Sequence, residues 1–347
     1  MTPWRWSARR RCASATAGRA RAGAARAARS WLNCRVGGRV AGGPAVSEEF
    51  CPIDVRHLGR ERVICCWRVG DVLVDPGPAS ALETLLGQLD GFEPRALALT
   101  HVHLDHAGAA GSLAARFPGL EVWVHERGAR HLIDPSRLVH SARRLYGEEM
   151  DRLWGEVLAV PEERVRVLGD QGSIGGLRYT HTPGHASHHV CYLHEPSGWA
   201  FVGDVAGVRI PPADYVRPPT PPPDIDLEAW RRSVARVRGW APERLALTHF
   251  GAFPDVERHL YALERGLDDF AQLAAGGHRR AFIDGVAARV AAATDPQTAA
   301  VYEQAAPAEH LWLGLERYLN RLCGGAAGRP AAPSEGRSAR GPAQPAR

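Results

Sequence analysis

The sequence predicts a mixed α/β body with a helical C-terminal segment, and three observations carry that expectation. Short runs rich in Val, Ile, Leu and Ala, each of strand length, alternate with helix-period stretches between residues 63 and 253. After Phe253 the strand signals stop and only helical patterns follow. The 347 residues are 45% hydrophobic and 23% charged, enough apolar chain for one large domain or two small ones, which excludes a disordered or collagen-like protein.

The elements follow in order. Two runs of Val, Ile and Cys over 63–75 flank Val69-Gly70 and read as a hairpin, closed by Asp75-Pro76-Gly77. A helix is expected over 79–89. Strands are expected over 96–100, 121–124, 164–167, 177–180, 189–193, 199–202 and 245–248, with helical stretches near 108–116, 128–133, 137–155 and 227–238. The C-terminal helices should cover 256–273, 281–293 and 308–322, the last opened by Pro307. Between them, residues 211–223 hold seven of the chain's 26 prolines and predict a stiff loop. That loop is either a connector to a helix capped by Asp226 or one wall of a pocket, with Tyr215 then a candidate substrate contact. Trp154, Trp230, Trp240 and Trp312 fall in helical or boundary patterns and read as core or lid residues. No internal repeat is evident.

The formal net charge of +5 suggests a basic protein, but its distribution reverses that reading. All 43 basic residues are Arg. Residues 1–47 hold ten of them and no acid, and residues 324–347 hold four with Glu335, which leaves 29 Arg against 37 acids, or −8, over 48–323. The body is acidic, so the total says little about its partner. Four segments are expected: a disordered Arg/Ala-rich extension over 1–47, the α/β domain over 48–253, a helical segment packed on it over 254–323, and a solvated tail over 324–347. The extension lacks the apolar stretch of a secretory signal and reads as an upstream extension of the reading frame, an organelle transit peptide or a basic arm. Seven cysteines without a C-x-x-C pair argue against a disulfide framework and a structural zinc ribbon. No run of eighteen apolar residues occurs, so no membrane span is expected and a cytoplasmic location is the default.

The chemistry concentrates in Thr100-His101-Val102-His103-Leu104-Asp105-His106-Ala107-Gly108, directly after an apolar strand. Three imidazoles and a carboxylate packed into six residues would crowd one another and leave a carboxylate poorly compensated unless a cation sits among them. Imidazole and carboxylate without thiolate suit zinc, iron or manganese. A single tetrahedral catalytic metal needs only three protein ligands, so a second metal would call for further ligands downstream. They appear as His185 in Thr182-Pro183-Gly184-His185, Asp204 in Phe201-Val202-Gly203-Asp204 and His249 in Leu245-Ala246-Leu247-Thr248-His249, each near a strand end.

Those motifs in that order, with the early hairpin Asp, resemble the metallo-β-lactamase superfamily over roughly residues 53–260. The resemblance implies a four-layer αββα sandwich with a dinuclear site holding two divalent metal ions, zinc in the first place with iron or manganese as alternatives. It assigns His101, His103 and His185 to one metal and Asp105, His106 and His249 to the other, with Asp204 bridging. Asp75 matches the family's aspartate after the hairpin and would orient a metal-binding His; a plain turn residue before Pro76-Gly77 is the competing reading. Two cations sharing a solvent molecule would supply a bridging hydroxide at neutral pH. Asp105 would orient that nucleophile and relay its proton as well as bind metal. His188 is a second candidate substrate contact, although an exposed turn position is the simpler expectation; His125, His131 and His140 read as solvent-facing.

Within the superfamily, the Asp105 and Asp204 combination resembles the hydroxyacylglutathione hydrolase (glyoxalase II) branch more than a true β-lactamase. The segment between His106 and His185 is longer than in compact thioesterases of that type, and the glutathione-recognition pattern of their C-terminal domain is not evident. The expected function is therefore hydrolysis of an ester-like bond, a thioester or lactone, in a small-molecule substrate, with the insert and the proline loop as a lid. The alternatives are a mononuclear iron persulfide dioxygenase with the same ligand set, and a phosphodiesterase or nuclease, which the acidic body disfavours. A membrane partner is not expected, and the Ala-rich C-terminal helices could support a homodimer.

Overall fold

A computed structural model describes residues 50–326. The extension expected over 1–47 lies outside the described residues, as does the tail beyond 326. Two six-stranded sheets form the centre of the molecule. The first runs, in spatial and chain order, β1 (Phe50–Asp54), β2 (Cys65–Val69), β3 (Val72–Val74), β4 (Ala96–Ala98), β5 (Glu121–His125) and β6 (Val165–Leu168). The second runs from β12 (Gly251–Phe253) through β11 (Arg244–Leu247), β10 (Trp199–Phe201), β9 (Val190–His194) and β8 (Leu177–His181) to β7 (Gln171–Ile174).

The hairpin expected at 63–75 is β2 and β3, paired antiparallel with Val69 opposite Val72, so Gly70 and Asp71 make the turn. From β3 to β6 the pairing is parallel. Parallel steps require crossovers. These are α1 (Leu82–Leu89), then α2 (Leu104–Ala107) and α3 (Ala110–Arg116), then α4 (Glu126–Ile133), α5 (Ser136–Tyr146) and α6 (Met150–Trp154). In the second sheet only β10 and β11 pair in parallel, and α7 (Leu227–Gly239) joins them. Asp226 caps α7, its Oδ1 accepting from the Ala229 N–H at 2.9 Å, as expected for a carboxylate at that position. The C-terminal helices α8 (Val256–Ala275), α9 (Arg279–Ala293), α10 (Pro296–Ala305) and α11 (Ala308–Ala326) pack on one another and, through α8, on α7. None of the described helices is long and apolar enough to cross a membrane.

The core lies between the sheets, where Trp67, Trp123, Tyr192 and Phe201 are fully buried. Polar atoms of these aromatics find partners across the interface, as burial requires. Trp67 Nε1 donates to Leu247 O at 3.0 Å and the Tyr192 hydroxyl to Leu99 O at 2.9 Å. Two main-chain bonds also cross from sheet to sheet: Cys65 N to Thr248 O and Val190 N to Thr100 O, both at 2.8 Å.

Three strands and one helix escaped the sequence pattern. β1, β7 and β12 are all sheet edges. Edge strands need bury only part of their side chains: β7 is Gln-Gly-Ser-Ile with no buried residue and β12 buries only Phe253, whereas β1 is buried at four of its five residues and is interrupted by Pro52, which an edge tolerates. Helix α10 is largely Ala and polar, announced only by Asp295 accepting from Gln297 N–H and Thr298 N–H ahead of Pro296.

Candidate metal centre

β4 delivers the chain to Thr100, after which His101 and His103 alternate along an extended segment and therefore project to one side. His103 keeps extended dihedrals (φ −62°, ψ 151°) and the chain then turns into α2, which carries Asp105 and His106. His185 sits in the turn between β8 and β9. Its neighbour Gly184 has φ +138°, and a Cβ there would stand 2.3 Å from the Trp230 Cα, so only glycine fits that approach. Asp204 lies in a short 3-10 turn, Gly203–Ala206, after β10, and His249 follows β11. The ends of four strands from both sheets thus meet at one rim of the sandwich.

Two groups form there. His101 Nε2, His103 Nδ1 and His185 Nε2 lie 3.0, 3.0 and 3.3 Å apart. Asp105, His106 and His249 form the second, with His249 Nε2 at 3.3 Å and His106 Nε2 at 3.8 Å from Asp105 Oδ2. Asp204 stands between them. Its Oδ2 is 3.3 Å from His185 Nε2, while its Oδ1 is 3.2 Å from His106 Nε2 and 3.6 Å from His249 Nε2. All seven residues singled out by the motifs are brought together.

The opposite ring nitrogens fix the tautomers. His185 Nδ1 donates to Pro219 O at 2.9 Å and His249 Nδ1 to Val63 O at 2.7 Å, so each presents a bare Nε2 to the cluster. His106 Nδ1 donates to Asp75 Oδ2 at 2.8 Å. The Thr100 hydroxyl donates to the same Asp75 oxygen at 2.7 Å, which leaves its lone pair to accept from His101 Nδ1 at 3.1 Å. Asp75 also takes the Thr100 N–H at 2.8 Å and the Thr248 hydroxyl at 2.7 Å. It is a turn residue as well, with φ +51°, and so fills both roles weighed for it.

These residues fit divalent cations on the chemistry of their donors. The bare Nε2 atoms of His101 and His185, 3.3 Å apart and each 3.0 Å from His103 Nδ1, repel unless a cation or the single ring proton of His103 lies among them. A second proton on either ring is disfavoured: burial, then the neighbouring imidazoles, hold His101 well below the usual range, and burial and His185 bring His103 to about 4. Burial likewise lowers His185. In the second group burial opposes charge, but the Asp204 carboxylate, with Asp105, raises His106 and His249, which states how strongly this cluster calls for positive charge. His106 Nε2, His249 Nε2 and Asp204 Oδ1 are buried without a hydrogen-bond partner. Coordination would satisfy all three.

The remaining candidates fare differently. His188 is buried rather than exposed: it accepts from the Val102 N–H at 3.4 Å, and its ring lies edge-on to His103 at 5.9 Å. His125 is buried and stacks on His181 at 4.0 Å, and His131 is half-buried, so neither is solvent-facing as expected. For His188 the reason is α4, whose Gly128 sits against Val102 and the His188 Cβ, while His125, just ahead of that helix, is covered by His181 of β8. Tyr215 turns its ring to Tyr302 of α10, at 5.6 Å, instead of to the cluster. The proline loop reaches the site through its backbone, at Pro219 O. The insert supplies an apolar wall, where Leu104, between His103 and Asp105, packs with Met150 and Trp154 and is flanked by Tyr146. His57 stacks on Trp154 at 5.4 Å and donates to Leu153 O at 2.8 Å. Thr100 and Thr248 escaped notice although each directly precedes a candidate ligand, a position that carries its own signal.

A family model for the metallo-beta-lactamase superfamily matches residues 69–249. A hydroxyacylglutathione hydrolase of Enterobacter sp. (strain 638) is 31% identical over 134 residues, 38% of this chain and 41% of that protein, so the match spans less than half of the relative. A metallo-beta-lactamase fold-containing protein of Sulfurisphaera tokodaii is 27% identical over 220 residues, 60% of this chain and 80% of its own length. Among solved structures, a metallo-beta-lactamase family protein of Thermus thermophilus superposes with a TM-score of 0.57 at 19% identity, covering 80% of this chain and 95% of the other. Two sheets flanked by helices, a rim of His and Asp groups able to bind metal, and a family match over half the chain agree: the protein belongs to the metallo-beta-lactamase superfamily of metal-dependent hydrolases.

Proposed function

We propose that this protein hydrolyses an ester-like bond, a thioester or lactone, in a small-molecule substrate with two divalent cations, zinc first among them. The observation that carries the reading is Asp204, whose two oxygens face separate groups of ligands, Oδ2 toward His185 and Oδ1 toward His106 and His249. When bound, two such cations would lower the pKa of water and polarise a carbonyl. His101, His103 and His185 would hold one, and Asp105, His106 and His249 the other. The Asp105 side chain is the more exposed of the two carboxylates, 19% against 5% for Asp204. It can orient the attacking water and take its proton. Leu104, Trp154 and Tyr146 keep the approach apolar, which strengthens every charge interaction inside. Relatives named for hydrolysis of hydroxyacylglutathione, a thioester, support the choice of bond.

The test is metal content on the purified protein, followed by turnover of thioesters, lactones, phosphodiesters and β-lactams. Two metals per chain and thioester or lactone hydrolysis lost in His103→Ala and Asp204→Ala are expected. One iron per chain with oxygen consumption would replace this reading by an oxidative one, and phosphodiester cleavage alone by a nuclease.

A further inference from the structure

We propose that Arg127, Arg130, Arg137 and Arg144, on the insert beside the cluster, dock a phosphate-bearing end of the substrate and so present its ester-like bond from an anionic handle. The proposal rests on the hydrolase reading above and adds the substrate class to it.

Residues 126–146 carry five arginines against Glu126 and Asp134, in a body that is otherwise acidic. Of the five, Arg143 is paired, with Asp151 at 2.7 Å. The other four are exposed, and among the described residues their guanidinium groups make no ion pair or hydrogen bond. Arg95, Arg231 and Arg238 have acidic partners in Asp71, Asp268 and Glu264, whereas Arg265 and Arg317, elsewhere on the described surface, have none. A cluster left without counter-charge is a place where an external anion gains most.

The position of this surface ties it to the site. A Cβ on Gly128 would stand 2.8 Å from the Val102 side chain, which lies between His101 and His103, and 3.5 Å from the His188 Cβ. Arg127 adjoins that contact, and Arg130 shares its helix face at i+3. Arg137 and Arg144 are two turns apart on α5 and share a face in turn. His188 stands edge-on to His103 at 5.9 Å, and α5 packs Leu138, Val139, Ala142 and Tyr146 against Leu104, Met150 and Trp154, so Arg137 and Arg144 ride on a helix seated beside the ligand loop.

Several guanidiniums on two short successive helices match the charge and the three oxygens of a phosphate better than a single carboxylate. The two helices are only about 12 and 16 Å long, at 1.5 Å per residue, and the rest of the body is acidic, so a track for successive nucleic-acid phosphates is absent from the described surface.

The test uses the metal-loaded full chain and two thioesters of one acyl group, one on phosphopantetheine and one on pantetheine, which differ only in the phosphate. At low salt the phosphorylated ester should have a KM about 10-fold lower at similar kcat, and the gap should shrink as salt rises. Arg130→Gln with Arg137→Gln should raise its KM to that of the neutral ester, whereas Arg265→Gln with Arg317→Gln, which removes two exposed charges elsewhere, should leave the gap intact. Equal KM values in the wild type, or a gap that survives in the insert variant, overturn the proposal. If neither ester is turned over, the hydrolase reading fails separately. The docking surface is then judged by calorimetric titration with a phosphopantetheine thioether: salt-sensitive binding lost in the insert variant supports it, and no binding overturns it.

Discussion

His106 Nδ1 donates to Asp75 Oδ2 at 2.8 Å, with both side chains fully buried. The same carboxylate takes the Thr100 N–H, the Thr100 hydroxyl and the Thr248 hydroxyl, three groups next to candidate ligands from both sheets. Orientation of His106 directly, and of His101 through Thr100, thus traces to one residue that is not itself placed among the ligands.

Replacing Asp75 by Asn puts an amide N–H where a second acceptor oxygen stood, so one of four buried donors loses its partner. Metal affinity should fall about 10- to 100-fold. Thr248→Val, which removes one donor, should produce a smaller fall. Competition with a chromophoric chelator measures both, and unchanged affinity in Asp75→Asn would remove the orienting role.

Chelation should lower the melting temperature, and added zinc should restore it. A ligand at 100 times its Kd stabilises by about 2.7 kcal/mol, and each bound ion adds its own contribution. A melting temperature indifferent to chelator would show that the folded cluster holds no cation.

Gly184→Ala should cost about 1–3 kcal/mol, because a Cβ at φ +138° meets the Trp230 backbone at 2.3 Å and either the turn or α7 must move. His185 is the next residue, so metal stoichiometry should drop with stability. Urea denaturation and metal analysis on the same preparation test the two together.

Stability should depend on pH through His259, a buried residue whose Nε2 donates to Ala206 O at 2.8 Å. Burial brings it down to about 4 from 6.5. Between these values the unfolded chain binds a proton that the folded chain does not, so stability falls as pH drops from about 6.5 to about 4, by about 1.4 kcal/mol per unit. Above that window the contribution is complete, and below it the loss is complete. His259→Gln should flatten the profile over that range in urea titrations, and identical wild-type and variant slopes would contradict the assignment.

The ligand residues were legible because metal chemistry restricts residue type and spacing: His101 to His106 fall within six positions, and His185, Asp204 and His249 each follow a strand. The interior strands were legible for a similar reason, since β4, Ala-Leu-Ala, is wholly buried and must be apolar. The edges β7 and β12 bury few side chains and leave a weaker pattern, and β1, though buried, is interrupted by Pro52. His188 was misjudged because its burial is imposed by α4, far from it in the chain, and His125 because it stacks on His181 of the other sheet. No local pattern records such a contact. Tyr215 was attached to the pocket by proximity in sequence to the proline loop, whereas the C-terminal helices provide its packing partner, Tyr302.

The two main-chain bonds that cross between the sheets, Cys65 N to Thr248 O and Val190 N to Thr100 O, end on the residues immediately before His249 and His101. Sliding or splaying of the sheets would therefore scatter the ligands in the same movement that breaks these bonds. Ion exchange and opening of the sandwich become a single cooperative event, so the amide protons of Cys65 and Val190 should exchange with deuterium at the pace at which a loaded protein surrenders its metal.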